Sequence, residues 1–307
     1  MPTMPADARP LDAMDDAKAL SALLALSEQA LQAAWRSARS HAGGRNAKGD
    51  AVRAFDMAAH EAIAAFLRQR QLPWLLLSEE GAHESHDVGM EAVCTARLVV
   101  DPVDGSDNFA AGAPLDGLSS FCAALLPADG ALDFRQVRQA IIRPLAGGPA
   151  ASDCAFVLDE NAAWQVQVDD AGASAARQQR LCTSDARCLQ EAMITVELNH
   201  HAPSAALAGV MQQARGVRCF GCCSAALLAI ARGQTDAHID LRGRLTAESW
   251  LAAAALLQAA GGAVMLIDEH LQPAAPPQTL LQRRGLLAAA NEALMNDILN
   301  RLSQIHY

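Results

Sequence analysis

Residues 96–109 of the chain read Ala-Arg-Leu-Val-Val-Asp-Pro-Val-Asp-Gly-Ser-Asp-Asn-Phe. The apolar run before Asp101 predicts a buried strand that stops at Asp101-Pro102. The carboxylates of Asp101, Asp104 and Asp107 follow it closely. Crowded carboxylates repel one another unless a cation or a shared proton offsets the repulsion, so the pattern favours a hard divalent ion. An ordinary solvated turn is the alternative, because Asp-Pro and Asp-Gly pairs are common in turns.

The spacing of these residues limits the kind of cation site. Pro102 restricts the turn so that Asp101 and Asp104 can face one point, and Gly105 allows the backbone to approach a ligand closely. A helix-loop-helix calcium site is excluded, because the acids are three residues apart and the twelfth position is Gly112 rather than a glutamate.

A second acidic pair, Glu79-Glu80, follows the apolar run Trp74-Leu-Leu-Leu77, which predicts a short buried strand. Adjacent acids in a loop are usually only solvated. Neighbouring strand ends, however, place carboxylates from distant segments of the sequence around one cleft. We therefore expect Glu79 and Asp101 to lie at one site, which could hold Mg²⁺ and a substrate phosphate.

The remaining pattern is that of a mixed helix and strand protein. Before residue 185 it predicts two helices and a meander of strands, and after residue 185 helices and strands alternate, as in an α/β layer. We predict a boundary there, between an N-terminal half of residues 1–185 and a C-terminal half of residues 186–307. The predicted elements are helices 15–41 and 57–70, strands 118–126 and 137–142 and strands around Ala155 and Val166, followed by strand 193–198, helix 204–214, a strand at Val217, helix 224–231, strand 236–240, helix 247–260 and strand 263–267.

Composition excludes several classes of protein. The chain has 307 residues, of which 51% are hydrophobic, so it is not a disordered protein, and its net charge of -10 argues against a nucleic-acid polymer as partner. Residues 250–267 carry no charge, but Gly261-Gly262 interrupts them, which predicts a buried helix and strand rather than a membrane span. The start of the chain lacks the pattern of a signal peptide, and we expect a cytoplasmic protein whose eight cysteines are free thiols.

These motifs resemble the inositol monophosphatase family, within the fructose-1,6-bisphosphatase superfamily. Glu79-Glu80 is similar to the family's Glu-Glu pair, and the segment 101–109 to its Asp-Pro-apolar-Asp-Gly-(Ser/Thr)-x-Asn-Phe signature. The segment 49–56, which ends in Asp56, is also similar. Downstream, the segment 236–242 and the helix that closes in 260–262 resemble most closely the archaeal-type members, which act on inositol phosphates and fructose bisphosphate.

The resemblance implies an α+β fold, a layered αβαβα sandwich in which an N-terminal α+β half carries the metal-binding motifs and a C-terminal α/β half completes the active site. It also implies a homodimer. The implied activity is that of a Mg²⁺-dependent phosphomonoesterase acting on a small phosphorylated metabolite, an inositol monophosphate or a sugar phosphate.

Site residues are implied by position in the family's motifs. The expected Mg²⁺ ligands are Glu79, Asp101, the carbonyl of Val103 and Asp104. Ser106 and Glu79 would orient the attacking water, with Asp56 polarising Ser106, and no phosphoenzyme intermediate is expected. The expected substrate contacts are Asp104, the backbone N–H groups of Gly105 and Ser106, and the residues Asp240, Arg242 and Ser249.

One departure from the family pattern concerns Ser249, which occupies the position of a metal-binding Asp twelve residues before Gly261. Serine is neutral and a weaker Mg²⁺ ligand, so a second metal would be held less tightly. This leaves two alternatives open: a degenerate member that acts as a binding protein, and an enzyme of changed specificity such as a nucleotide 3′-phosphatase.

Overall fold

A computed structural model of the protein describes residues 16–38, 43, 45, 52–81, 94–112, 115–146, 154–168, 175–199 and 201–304. The helices in these ranges are α1 (Asp16–Ser37), α2 (Ala54–Arg70), α3 (Ser106–Ala111), α4 (Ala205–Gln213), α5 (Cys223–Ala231), α6 (Ala247–Ala259) and α7 (Glu292–Ser303).

The strands form two sheets. The first consists of β1 (Trp74–Ser78), β2 (Ala96–Asp104), β3 (Ser120–Pro127), β4 (Gln139–Pro144), β5 (Cys154–Asp159), β6 (Ala162–Val168) and β7 (Ala175–Arg180), in that spatial order. The second contains β8 (Met193–Val196), β9 (Gly216–Arg218), β10 (Ala237–Leu245), β11 (Ala263–Ile267) and β12 (Arg284–Ala289), in the spatial order β11-β12-β10-β8-β9.

Helices cover both faces of the first sheet. On strand β2, Leu98 and Val100 pack against α1 and α2, whereas Val99 packs on the opposite side with α5 and α6. A strand that is buried on both faces has a nearly continuous apolar sequence, whereas a half-exposed strand alternates apolar and polar residues. This explains the apolar sequence before Asp101.

The second sheet is likewise covered on both sides. Residues of α4 and α7, such as Val210 and Ile298, pack on Ile239 and Leu287, while the other face contributes Leu286 to the cluster around α5 and α6. The layers are therefore helices, sheet, helices, sheet and helices. This confirms the expected α+β layered fold.

Helix α6 lies between the sheets. Residues 247–257 of this helix are all buried, and a helix enclosed on every side must be apolar all round. The uncharged segment 250–267 is thus a buried helix followed by the buried strand β11, as the sequence predicts. None of the described helices combines the length and the apolar character that are needed to cross a membrane.

The sequence pattern placed most elements correctly. Strand β2 is longer than expected, because it continues past Asp101 to Asp104 with a shift of register against β3. The elements β7, β12 and α7 were not predicted. Strand β7 is an edge strand with the polar sequence Ala-Ala-Arg-Gln-Gln-Arg and carries no apolar periodicity. The connection between the two sheets, residues 181–192, contains residue 185, and the boundary itself stays a prediction.

Gly262, which separates α6 from β11, provides a test of the packing between the sheets. A Cβ atom at Gly262 would lie 2.3 Å from Cδ1 of Leu257 and 3.0 Å from the carbonyl oxygen of Ala289. Because Leu257 is fully buried, we expect Gly262→Ala to lower the free energy of unfolding by about 1–3 kcal/mol. Urea denaturation measures this change. Gly43→Ala is the control, since a Cβ there meets no atom of the described residues within 4 Å. Equal free energies of unfolding for the two variants would contradict the close packing at Gly262.

Candidate active site

The turn after β2 brings its polar groups to one point. The backbone N–H of Val103 donates to Oδ1 of Asp101 at 3.1 Å. Gly105 then adopts a positive φ of 80°, and a Cβ on it would lie 2.9 Å from Cβ of Cys222 and 3.0 Å from the carbonyl oxygen of Leu118. Only glycine satisfies both the backbone conformation and this close approach. Helix α3 starts directly afterwards at Ser106.

Ser106 meets Asp56, as the resemblance implies. Its hydroxyl lies 2.9 Å from the carbonyl oxygen of Val103 and 3.3 and 3.4 Å from the carboxylate oxygens of Asp56. Asp56 is buried in the first turn of α2. The structure therefore brings together residues that are 50 positions apart in the chain. The preceding segment, which contains Gly49 and Asp50, falls outside the described residues.

Asp104 is held by the N-terminus of α5. Its Oδ2 accepts the backbone N–H of Ser224 at 2.7 Å, the hydroxyl of Ser224 at 2.5 Å and the thiol of Cys222 at 3.1 Å. Burial, and then the nearby Asp104 carboxylate, raise the pKa of the Cys222 thiol well above its usual value, so it stays protonated and donates. The N–H groups at a helix start favour a negative charge. Asp104 therefore links the first sheet to a helix of the second half.

The predicted acids line one cavity of about 440 Å³ at the ends of β1 and β2. The predicted site residues that line it are Glu79, Asp101, Val103, Asp104, Gly105, Ser106, Asp56, Arg242 and Ser249. Glu79 and Asp101 thus share one cleft, as the neighbouring strand ends led us to expect.

The donor atoms that line the cavity show which kind of metal ion it could hold. Glu79, Asp101, Asp104 and the Val103 carbonyl supply only oxygen donors, which Mg²⁺ prefers. Among the described residues, however, no three side chains of His, Cys, Asp or Glu are grouped closely enough to hold one ion. Oδ2 of Asp104 accepts the bonds from α5, and the carbonyl of Val103 is within bonding distance of Ser106. The donor chemistry fits Mg²⁺, but the ligands are not drawn together into one cluster.

Ser249 lies in the first turn of α6 and lines the cavity. Its hydroxyl donates to the carbonyl oxygen of Thr246 at 2.9 Å. The adjacent Glu248 accepts a hydrogen bond from the hydroxyl of Thr246 and is not among the cavity residues. Glu248 therefore does not take the place of the missing carboxylate.

Asp240 is not where the resemblance led us to expect it. It has no exposed surface, and it is not among the residues that line the cavity. Its Oδ1 accepts from Nε of Arg242 at 3.0 Å and its Oδ2 from Nη2 at 2.6 Å. Nη1 of Arg242 also lies 3.9 Å from Glu197. Asp240 thus holds Arg242, and Arg242 reaches the cavity.

Several residues that line the cavity were not predicted from the sequence. Glu197, Arg244 and Arg283 line the cavity from the second half, and Arg53 lines it from the first. Arg53 is paired with the exposed Asp107 at 2.7 Å, a contact of small energetic value. No sequence pattern predicts a role for these residues, because isolated charged residues such as single arginines are common on protein surfaces. The first half therefore lines the cavity mostly with acids, beside Arg53, and the second half lines it mostly with arginines, beside Glu197; we call these the acidic side and the basic side.

The comparisons with known proteins agree with this architecture. The sequence profile of the Inositol monophosphatase family matches residues 158–307, which include Arg242 and Ser249. A comparison with curated proteins finds no match. The resemblance to this family, inferred from the motifs, is confirmed.

Solved structures resemble the chain over nearly its whole length. The extragenic suppressor protein SuhB from Bartonella henselae is 18% identical, with a TM-score of 0.68 over 94% of this chain and 99% of that chain. SuhB from Mycobacterium tuberculosis is 17% identical, with a TM-score of 0.66 over 96% and 99%. The inositol monophosphatase from Anabaena is 19% identical, with a TM-score of 0.60 over 94% and 97%. At these identities the likeness shows a shared fold.

His238, on β10 beside the Asp240–Arg242 pair, predicts how stability depends on pH. Burial lowers the pKa of His238 to about 4; Asp240 raises it and Arg242 lowers it. Between about pH 6.5 and 4 the unfolded chain binds a proton at this residue and the folded chain does not, so stability falls as the pH falls. The loss is about 3 kcal/mol over this range.

Urea denaturation at several pH values between 7 and 4.5 measures this loss. We expect His238→Asn to flatten the dependence, because asparagine does not titrate and its amide occupies the position of Nδ1, which lies 2.9 Å from the hydroxyl of Thr195. The comparison uses slopes, so a general loss of stability in the variant does not affect it. Parallel slopes for the two proteins would show that His238 is not the titrating group.

Proposed function

We propose that this chain is a metal-dependent phosphomonoesterase. Its resemblance to the inositol monophosphatase family is confirmed over residues 158–307, and its fold is that of inositol monophosphatases. The family and the fold support a phosphatase in general. The observation that carries the proposal is the meeting of Glu79, Asp101, Asp104 and the Ser106–Asp56 pair around one cavity. The substrate is a small phosphorylated metabolite, an inositol monophosphate or a sugar phosphate.

Glu79, Asp101, Asp104 and the carbonyl of Val103 would hold Mg²⁺. When bound, the ion lowers the pKa of a water, shields the phosphate charge and stabilises the leaving alkoxide. Asp104 can serve as a ligand while it holds α5, because its Oδ2 takes the bonds from Ser224 and its Oδ1 is not used in them.

The chain's own groups orient the reactants. Asp56 accepts from the hydroxyl of Ser106 and so fixes the direction of its lone pairs. With Glu79, Ser106 would position the water that attacks phosphorus, and Glu79 would accept its proton. The backbone N–H groups of Gly105 and Ser106 would bind phosphate oxygens. Hydrolysis is then direct, without a phosphoenzyme.

The rest of the substrate would face the basic side of the cavity. Arg242 is fixed by its two bonds to Asp240, so little side-chain entropy is lost when it binds a substrate oxygen. Residues of the second half therefore select the substrate, and residues of the first half carry the chemistry. The resemblance also implies a homodimer, which sedimentation would test.

A specific observation favours a second candidate, a family member that binds a phosphorylated metabolite without hydrolysing it. Ser249 stands where a carboxylate is expected, and Glu248 is turned toward Thr246. A nucleotide 3′-phosphatase has less support, because the described residues that line the cavity include no aromatic side chain on which a base could stack.

Replacing an active-site carboxylate by an amide of the same size tests the proposed phosphatase activity. We expect Asp104→Asn and Glu79→Gln to lower the rate of phosphate release at least about 100-fold, because each removes a negative charge from the metal and the attacking water. The measurement is phosphate release from inositol, sugar and nucleotide phosphates at graded Mg²⁺. The asparagine of the first variant keeps an oxygen for the bond from Ser224, and Glu79 is not part of that contact, so the fold is preserved in both variants.

Asp185→Asn is the matched control, since this carboxylate is exposed and is not among the cavity residues. Unchanged turnover in both active-site variants would overturn the assignment. If the wild-type protein binds inositol monophosphate in calorimetry but releases no phosphate even at high Mg²⁺, the non-hydrolysing member is the correct description.

Restoring the carboxylate at position 249 tests the departure from the family pattern. We expect Ser249→Asp to lower the Mg²⁺ concentration for half-maximal binding by about 10-fold, because a second charged ligand joins the site. Calorimetric titration with Mg²⁺ measures this without any turnover. Ser249→Asn, of the same size but neutral, should leave the affinity near that of the wild type. Equal affinities for the Asp and Asn variants would mean that position 249 does not face the ion.

A further inference from the structure

We call residues 104–106 the phosphate turn, because its N–H groups are those proposed to bind phosphate. A second cavity of about 310 Å³ lies behind this turn, and we name it the rear cavity. It is enclosed by the start of β3 and the end of β4 from the first sheet, by α5, and by residues near β8, β9 and β10 from the second half. The residues that define it here are Arg218, Phe220, Leu228, Arg232 and Thr235. Nothing in the proposed phosphatase mechanism uses it.

The lining of the rear cavity is apolar with a basic rim. Ala225, Leu228 and Arg232 follow one another at three- and four-residue spacing on one face of α5 and its end, and Phe220, between β9 and α5, also lines the cavity. The side chains of Arg218 and Arg232 are exposed. Among the described residues that line the cavity there is no Asp or Glu. In a chain with a net charge of -10, a cavity of this kind attracts anions.

Thr235 forms part of the inner wall and carries a buried hydroxyl. The residue is 4% exposed, and its Oγ1 has no hydrogen-bond partner within the described portion of the chain. The other two hydroxyls of the lining are satisfied, since Ser119 donates to the carbonyl oxygen of Gly105 at 2.8 Å and Ser120 lies 2.7 Å from the hydroxyl of Ser224. A buried hydroxyl without a partner is uncommon and is a usual feature of sites that receive a ligand or a water.

We propose that the rear cavity binds a small organic anion, in which an apolar body packs against Leu228 and Phe220 and a carboxylate or phosphate group pairs with Arg218 and Arg232. The planar guanidinium groups suit both kinds of oxyanion. The Oγ1 atom of Thr235 is buried in the wall, so a turn of the side chain about its Cα–Cβ bond would be needed for the hydroxyl to bond to the ligand. The volume of the cavity accommodates a single aromatic ring with its acidic group.

The walls of the rear cavity also support the phosphate turn. Ser119 bonds to Gly105, Ser120 contacts the Ser224 that holds Asp104, and the amide of Asn108 donates to the carbonyl oxygen of Phe220 at 2.7 Å. A ligand in the rear cavity would therefore contact residues that hold Gly105 and Asp104 in place. Such a site is suited to an effector and lies outside the cavity proposed for the substrate.

Binding is measured by calorimetry and by amide chemical shifts with benzoate and phenylphosphonate as probes, neither of which is a phosphate ester. Benzamide, the neutral analogue of benzoate, is the ligand control. We expect the anions to bind and benzamide to bind at least about tenfold more weakly, since it lacks the charge that pairs with arginine. A preference for phenylphosphonate or for benzoate identifies the acidic group as phosphate-like or carboxylate.

Variants locate the site. Arg218→Gln and Arg232→Gln should each weaken binding of the anions about tenfold, and Thr235→Val, which keeps the shape of the side chain, should weaken it severalfold. Arg180→Gln, at an exposed position on β7, and Arg242→Gln, in the substrate cavity, should leave it unchanged. These readouts do not depend on phosphatase activity.

Three results would overturn the proposal. The first is the absence of saturable binding of either anion. The second is binding that is lost in Arg242→Gln and kept in the rear-cavity variants, which would place the probe in the substrate cavity. The third is a combination of two observations: Arg218→Gln changes the sedimentation coefficient, and the amide chemical shifts of the rear-cavity residues do not respond to the probes. This result would mean that a second copy of the chain fills the rear cavity.

Discussion

Oδ2 of Asp104 accepts the backbone N–H and the hydroxyl of Ser224, and this contact joins the phosphate turn to the first residues of α5. The two residues are 120 positions apart. A carboxylate that has lost its water needs donors of this kind, and the start of a helix provides them without further cost in conformational entropy. The same contact orders Ser120 behind the turn. The contact thereby connects the linings of the two cavities, since Asp104 lines the first and Ser120 lines the rear cavity.

The position of α6 between two sheets explains the other special features of the site. Because residues 247–257 of this helix are all buried, its buried polar side chains are confined to the first turn, where Ser249 lines the cavity and Glu248 accepts a hydrogen bond from Thr246. His238 and Asp240 lie on β10, which packs against α5, and their burial makes the histidine hard to protonate and leaves Asp240 to neutralise Arg242. Arg242 on the basic side of the cavity is therefore held by Asp240, whereas the acids come from α2 and from the ends of β1 and β2.

The sequence predicted much of this arrangement, for physical reasons. Residues of β2 are buried on both faces, so a largely apolar run predicts the strand, and Asp101 marks where the apolar run ends and the lining of the cavity begins. Glu79, Ser106 and Asp56, which the sequence also singled out, line the same cavity. Arg244, Arg283 and Glu197 were not expected, because their presence there depends on how β10 pairs with β12 and β8. Strand β7 was missed because an exposed edge strand can be polar throughout.

The sequence by itself determined most of the element types, the burial of residues 250–257 and the placement of Glu79, Asp101 and Asp104 at one site, since these follow from local periodicity and from the chemistry of neighbouring residues. Only the tertiary structure decided that Asp240 faces Arg242 and not the cavity, that Glu248 does not replace a carboxylate at Ser249, and that Thr235 lies beside a second cavity. Local pattern specifies whether a side chain is buried. Its partner is set by the packing of elements that are distant in the chain, and no short stretch of sequence contains that information.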